Sequence, residues 1–112
     1  MAAGISTHLL DVTSGKPITG VRIELFDLSE RPPALVARAV SNTDGRNDAP
    51  MLDGDLARSG TFELRFHLGE HFTAPDALLD IVPVRFTVTD PAQHYHVPLL
   101  CTPWYASVYR GS

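Results

Sequence analysis

Apolar and polar residues alternate with a period of two along much of the chain. Phe62, Leu64, Phe66 and Leu68 are interleaved with Thr61, Glu63, Arg65 and His67. Val82, Val84, Phe86 and Val88 alternate with Pro83, Arg85, Thr87 and Thr89, and Val21-Arg22-Ile23-Glu24-Leu25 repeats the pattern. Successive strand residues point to opposite faces, so each run predicts a strand with one buried and one wetted side. Weaker runs over residues 5–12, 35–41, 94–100 and 106–109 bring the total to about seven or eight strands. Ser14-Gly15-Lys16-Pro17, Asn42-Thr43-Asp44-Gly45, Asp53-Gly54-Asp55 and Asp90-Pro91 supply turn chemistry between them. Pro32 and Pro33 break any helix near them, and one short helix is predicted within residues 70–79, with Pro75 in its first turn. The pattern predicts an all-β antiparallel sandwich.

Composition narrows the function. The chain has 112 residues, room for a single domain over 1–112, with 44% hydrophobic and 20% charged residues, which excludes a disordered or coiled-coil protein. No apolar stretch is long enough to cross a bilayer, so no membrane partner is expected. Acidic residues outnumber basic ones 13 to 9, and Lys16 is the only lysine. A phosphate-backbone binder carries a basic stripe, so nucleic acid is not expected as a partner. The single cysteine, Cys101, allows no intramolecular disulfide and sits among apolar neighbours, which predicts a buried small side chain. Residues 1–6 lack the features of a signal peptide, so the cytoplasm is the expected compartment. A sandwich this small has little interior for a deep pocket. Chemistry is therefore expected at a sheet edge, a loop cluster or an interface between subunits.

Four features offer chemistry. His8 lies within the apolar run Ile5-Ser6-Thr7-His8-Leu9-Leu10-Asp11, and Arg46 follows a turn. Taken alone, each reads as an ordinary exposed residue. His94 and His96, two apart on a predicted strand, share a face, while Cys101 falls on the opposite one. With His8 they are candidate ligands for zinc or copper, although no carboxylate lies nearby in sequence to complete the set. The fourth feature is Tyr109-Arg110-Gly111-Ser112, where chain ends usually fray. If ordered, it delivers a guanidinium, a hydroxyl and the α-carboxylate of Ser112 to one place.

Together these segments resemble one family, the transthyretin-related 5-hydroxyisourate hydrolases. The resemblance rests on Tyr109-Arg110-Gly111-Ser112, on Ser6-Thr7-His8-Leu9-Leu10-Asp11, on Thr43-Asp44-Gly45-Arg46 and on His94-Tyr95-His96-Val97-Pro98-Leu99-Leu100. Gly20-Val21-Arg22-Ile23-Glu24-Leu25 and Gly60-Thr61-Phe62-Glu63-Leu64 extend it over nearly the whole chain. Val108, Cys101-Thr102 and Trp104-Tyr105-Ala106 depart from the common pattern without removing a catalytic group. The resemblance implies a transthyretin-like sandwich of two four-stranded sheets with one short helix. It also implies a homotetramer, a dimer of dimers with active sites in the channel between dimers. The implied reaction opens the six-membered ring of 5-hydroxyisourate, a step of urate breakdown, with no cofactor and no metal. Carried over by motif, the catalytic residues are His8, Arg46, His96 and Ser112, and the substrate-binding residues are His8, Arg46, Tyr109, Arg110 and Gly111.

Those residue types suit the chemistry. Opening a cyclic amide needs an activated water, an oxyanion stabiliser and a proton donor for the leaving nitrogen. A histidine exchanges protons near neutral pH, and an arginine offers planar paired donors to developing negative charge. Ser112 as a nucleophile lacks a fixed base-and-orienter pair in the sequence. His94 is expected to tolerate substitution better than His96, and Gly111 is expected to adopt a backbone angle closed to other residues. Two other readings remain open at this point. One is a transthyretin-like carrier of a hydrophobic ligand, and the other is a small metal-binding protein using His8, His94 and His96.

Overall fold

A computed structural model describes residues 3–112. Among the described residues eight strands are formed: β1 (Gly4–Asp11), β2 (Lys16–Pro17), β3 (Arg22–Asp27), β4 (Ala34–Val40), β5 (Gly60–His67), β6 (Ile81–Val88), β7 (His94–Thr102) and β8 (Tyr105–Val108). They make two four-stranded sheets, ordered β2-β1-β7-β8 and β4-β3-β5-β6. The alternation decides which side of each strand is buried. From the second sheet, Ile23, Leu25, Phe62, Leu64 and Phe66 are fully shielded from solvent. They share one core with Ile5, Leu9, Val97, Leu99 and Cys101 of the first sheet. Each such large side chain stabilises the fold by roughly 1.5–3 kcal/mol through burial. Cys101 is buried as predicted, and burial pushes its thiol pKa up to about 11. That keeps it an unreactive core residue.

Three local expectations change. First, the sandwich is not wholly antiparallel. β1 and β7 pair in parallel, from Gly4 opposite His94 to Asp11 opposite Cys101. A parallel pair needs a long crossover, and here the whole second sheet provides it. Second, no α-helix forms over residues 70–79. A single 3₁₀ turn, Leu68–Glu70, stands just before an irregular segment. Pro75 has no N–H to give to a helix, and the amides of Leu78 and Leu79 both donate to the Pro103 carbonyl at 3.0 Å. Tertiary hydrogen bonds thus claim the donors a helix would need. Third, the segment read as a turn at Lys16-Pro17 adds a short strand to β1, with Leu10 opposite Pro17 and Asp11 opposite Lys16.

Candidate active site

The outer face of the β2-β1-β7-β8 sheet gathers most of the suspected residues. On β1, Ile5, Thr7 and Leu9 turn inward, so Ser6, His8 and Leu10 turn outward. On β7, Tyr95, Val97, Leu99 and Cys101 are buried, which sends His94, His96, Pro98 and Leu100 to the same outer face. The parallel register then sets Ser6 beside His96 and His8 beside Pro98. Thr7, on the inner side, fixes that register by donating its hydroxyl to the Val97 carbonyl at 2.6 Å.

Each flank of this pair is closed by a connecting segment. β2 covers only the end of β1, leaving residues 4–9 with an open edge. The chain after the Asn42-Thr43-Asp44-Gly45 turn fills it. Leu9 N–H donates to the Gly45 carbonyl at 2.8 Å, Thr7 N–H to Asn47 Oδ1 at 3.0 Å, and Ile5 and Met51 exchange two backbone bonds of 2.8 Å. Arg46 thereby becomes the bridge partner of His8 and stands on its face. On the opposite flank the tail continues the register of β8. Gly111 pairs with His96, donating its N–H to the His96 carbonyl at 2.8 Å. Across the sheet this gives two adjacent rows, Arg46-His8-Pro98 and Ser6-His96-Gly111, so that His8 and His96 stand diagonally on neighbouring strands.

Two glycines make room for the two rings. A Cβ on Gly111 would lie 2.5 Å from His96 Cδ2, and a Cβ on Gly45 would lie 3.3 Å from His8 Cδ2 and 2.5 Å from the Leu9 carbonyl oxygen. Gly45 also holds a φ of 76°, closed to most side chains. Gly111 is not among the residues with positive φ. The expectation of a special backbone angle there is corrected: close approach of the imidazole is what demands glycine.

Partial burial lowers the pKa of His8 below its usual value, and the Arg46 charge lowers it further. His96 is lowered by burial first, then by Arg46, His8 and His94. Both rings are therefore neutral at pH 7 and able to accept a proton. Because these folded-state values are depressed, the stability they contribute is present above about 6.5 and is lost as pH falls through the lowered values. Arg46 is exposed, and among the described residues no carboxylate lies within ion-pair distance of it. Its charge is available to a ligand.

The structure brings His8, Arg46, His96 and Gly111 together. Tyr109 is exposed and, two residues before Gly111 in the same register, projects on the same side. Arg110 does not join them. Its guanidinium lies 4.2 Å from the centre of the Tyr95 ring and donates to Gln93 Oε1 at 3.0 Å and the His94 carbonyl at 3.3 Å. Strand alternation puts it on the opposite side, and the Tyr95 ring attracts the cation. Ser112 lines a cavity of about 500 Å³ with Gln93, His94, Arg110 and Gly111.

One residue escaped the sequence reading as a site candidate. Ser6 Oγ lies 2.6 Å from His94 Nε2 and 2.8 Å from His96 Nδ1. A hydroxyl on a strand looks like a solvent-facing residue. The signal was its position two residues before His8, on the same face. The three histidines proposed as metal ligands are not gathered into a ligand cluster among the described residues. Besides Leu10, Pro98 and Leu100, this face presents imidazoles and a guanidinium, groups a purely hydrophobic ligand would not need.

The model of the HIUase/Transthyretin family matches residues 5–111. A 5-hydroxyisourate hydrolase from Deinococcus radiodurans is 46% identical, covering 97% of this chain and 96% of that protein. The solved structure of (S)-allantoin synthase superposes with a TM-score of 0.89 at 39% identity. It covers 99% of this chain, but the chain spans only 44% of that longer protein. Transthyretin from Sparus aurata shares the fold, with a TM-score of 0.86 at 16% identity over 97% of each chain. Two four-stranded sheets in this order, matched by sequence over nearly their full length, lead to one conclusion: the chain belongs to the HIUase/Transthyretin family.

Proposed function

We propose that the protein is a hydrolase that opens the six-membered ring of 5-hydroxyisourate, giving 2-oxo-4-hydroxy-4-carboxy-5-ureidoimidazoline in urate breakdown. The observation that carries this reading is the placement of Arg46, His8 and His96 on one sheet face, Arg46 beside His8 and His96 diagonal to it on the next strand. The hydrolase from Deinococcus radiodurans, similar over almost the whole of both chains, supports it. One neutral imidazole takes a proton from water as the water oxygen bonds to the ring carbonyl carbon. Arg46 receives the developing oxyanion, and the imidazolium returns the proton to the nitrogen as the C–N bond breaks. These groups need neither a covalent nucleophile nor a cofactor. Tyr109 and Gly111 bound the site, Ser112 contributes from the tail, and Arg110 orders that tail through Tyr95.

The site lies on an open sheet face, so a second copy is needed to enclose substrate. The reading therefore includes a homotetramer, a dimer of dimers, built from a single domain over residues 1–112. The one buried thiol fits a reducing compartment, the cytoplasm. No helix among the described residues is long and apolar enough to cross a membrane. The test is to generate 5-hydroxyisourate with a urate oxidase and follow its disappearance spectroscopically. Alanine at His8, Arg46 or His96 should keep the fold and lower turnover on the order of a hundredfold. A decay rate unchanged by the wild-type protein would refute the assignment.

A further inference from the structure

We propose that Ser6 and His94 form a proton relay behind His96, holding its ring in one tautomer and drawing the proton it takes from water away from Arg46. The proposal rests on the hydrolase reading above, with His96 as the group that meets water.

The geometry is a three-member chain. Ser6 Oγ bridges His94 Nε2 at 2.6 Å and His96 Nδ1 at 2.8 Å. A hydroxyl carries one proton, so it donates to one ring and accepts from the other. Two arrangements are possible. In the first, Ser6 donates to His94 Nε2 and accepts from His96 Nδ1–H, which leaves His96 Nε2 bare. In the second, both bonds reverse, so Ser6 accepts from His94 Nε2–H and donates to His96 Nδ1, and Nε2 of His96 carries the proton. Only the first arrangement leaves His96 Nε2 free to take a proton from water, and it is the resting state of the relay. In that state His96 is a base.

The relay also explains why two histidines share this face. When water gives its proton to His96 Nε2, the Nδ1 proton passes to Ser6 Oγ while the Ser6 proton passes to His94 Nε2. His94 becomes the imidazolium, and the water oxygen forms its bond to the carbonyl carbon. Reversal of the three transfers returns the proton through His96 Nε2 to the leaving nitrogen as the C–N bond breaks. The register gives this transfer a physical advantage. Arg46 stands beside His8, whereas His96 is level with Ser6 and His94 with Gly4. Each two-residue step along a strand is about 6–7 Å, so the relay moves positive charge one such step away from the guanidinium.

The experiment reads two quantities in the wild-type protein and in Ser6→Ala, Ser6→Thr, His94→Ala and the Ser6→Ala/His94→Ala double variant. The first is the nitrogen-15 spectrum of the His96 ring without substrate, which reports the tautomer. The second is kcat and KM for 5-hydroxyisourate. Ser6→Ala should abolish the single-tautomer signature and lower kcat by about ten- to a hundredfold, with KM changed by less than about twofold. Ser6→Thr should restore both. The double variant should be no worse than the more damaging single one, since relay members act as a unit. A wild-type spectrum and kcat in Ser6→Ala would overturn the proposal, as would losses that simply add in the double variant. Absence of turnover in the wild-type protein would instead remove the hydrolase reading, and the ring spectrum would still decide whether Ser6 sets the tautomer.

Discussion

A methyl group at position 111 would sit 2.5 Å from the His96 ring, and the ring cannot retreat without leaving Ser6. Glycine is therefore part of how His96 is aimed. Gly111→Ala is expected to keep the melting temperature within a few degrees, because the residue lies outside the core. It should lower kcat on the order of a hundredfold, the effect of displacing a catalytic group by about 1 Å. Wild-type kcat in that variant would show that the ring adapts. Gly45 answers to a harder constraint. A Cβ there would meet the Leu9 backbone oxygen, which has no flexible end to give way. At this scale the sequence singled out His8, Arg46, His96 and Gly111, but it gave the wrong reason for the glycine and passed over Ser6 as a site residue. Ser6 and Gly111 act through what lies against them, and composition does not record neighbours.

Strands were the most readable elements because burial on one face leaves an alternating trace, as in Phe62 to Leu68. Pairing was not readable. Alternation says which face of β1 is buried but not that β7, some ninety residues on, lies beside it in parallel. The segment over residues 70–79 failed as a helix because the Pro103 carbonyl, remote in sequence, captured its donors. The tail is the element whose role is open to direct measurement. Residues 109–112 follow the last strand, contribute nothing to the core, and are tied down by the Gly111 bond to His96 and the seating of Arg110 on Tyr95. Their deletion is expected to leave the melting temperature nearly unchanged and to remove most hydrolysis. Full turnover in the truncated protein would show the tail to be a bystander. Its four residues were conspicuous in the sequence, but only strand alternation revealed that Arg110 turns away from its neighbours' face.

Over the whole molecule, the first sheet leaves its chemically active face uncovered and ends in the short edge strand β8, where Tyr105 and Val108 are exposed. An unprotected edge and an unenclosed site are both remedied by closed two-fold assembly. Specific activity is accordingly expected to fall on dilution in step with dissociation measured by sedimentation. Full activity in a sedimenting monomer would count against a shared site. The parallel union of β1 with β7 has one more consequence, and it concerns time. His8 is synthesised 88 residues before His96, so no nascent chain that stops short of β7 can possess the site. At about 5–20 residues per second, several seconds separate the emergence of the two histidines. Contacts between such distant segments are slow to form. The site therefore comes into being only when β7 has been made and has met β1.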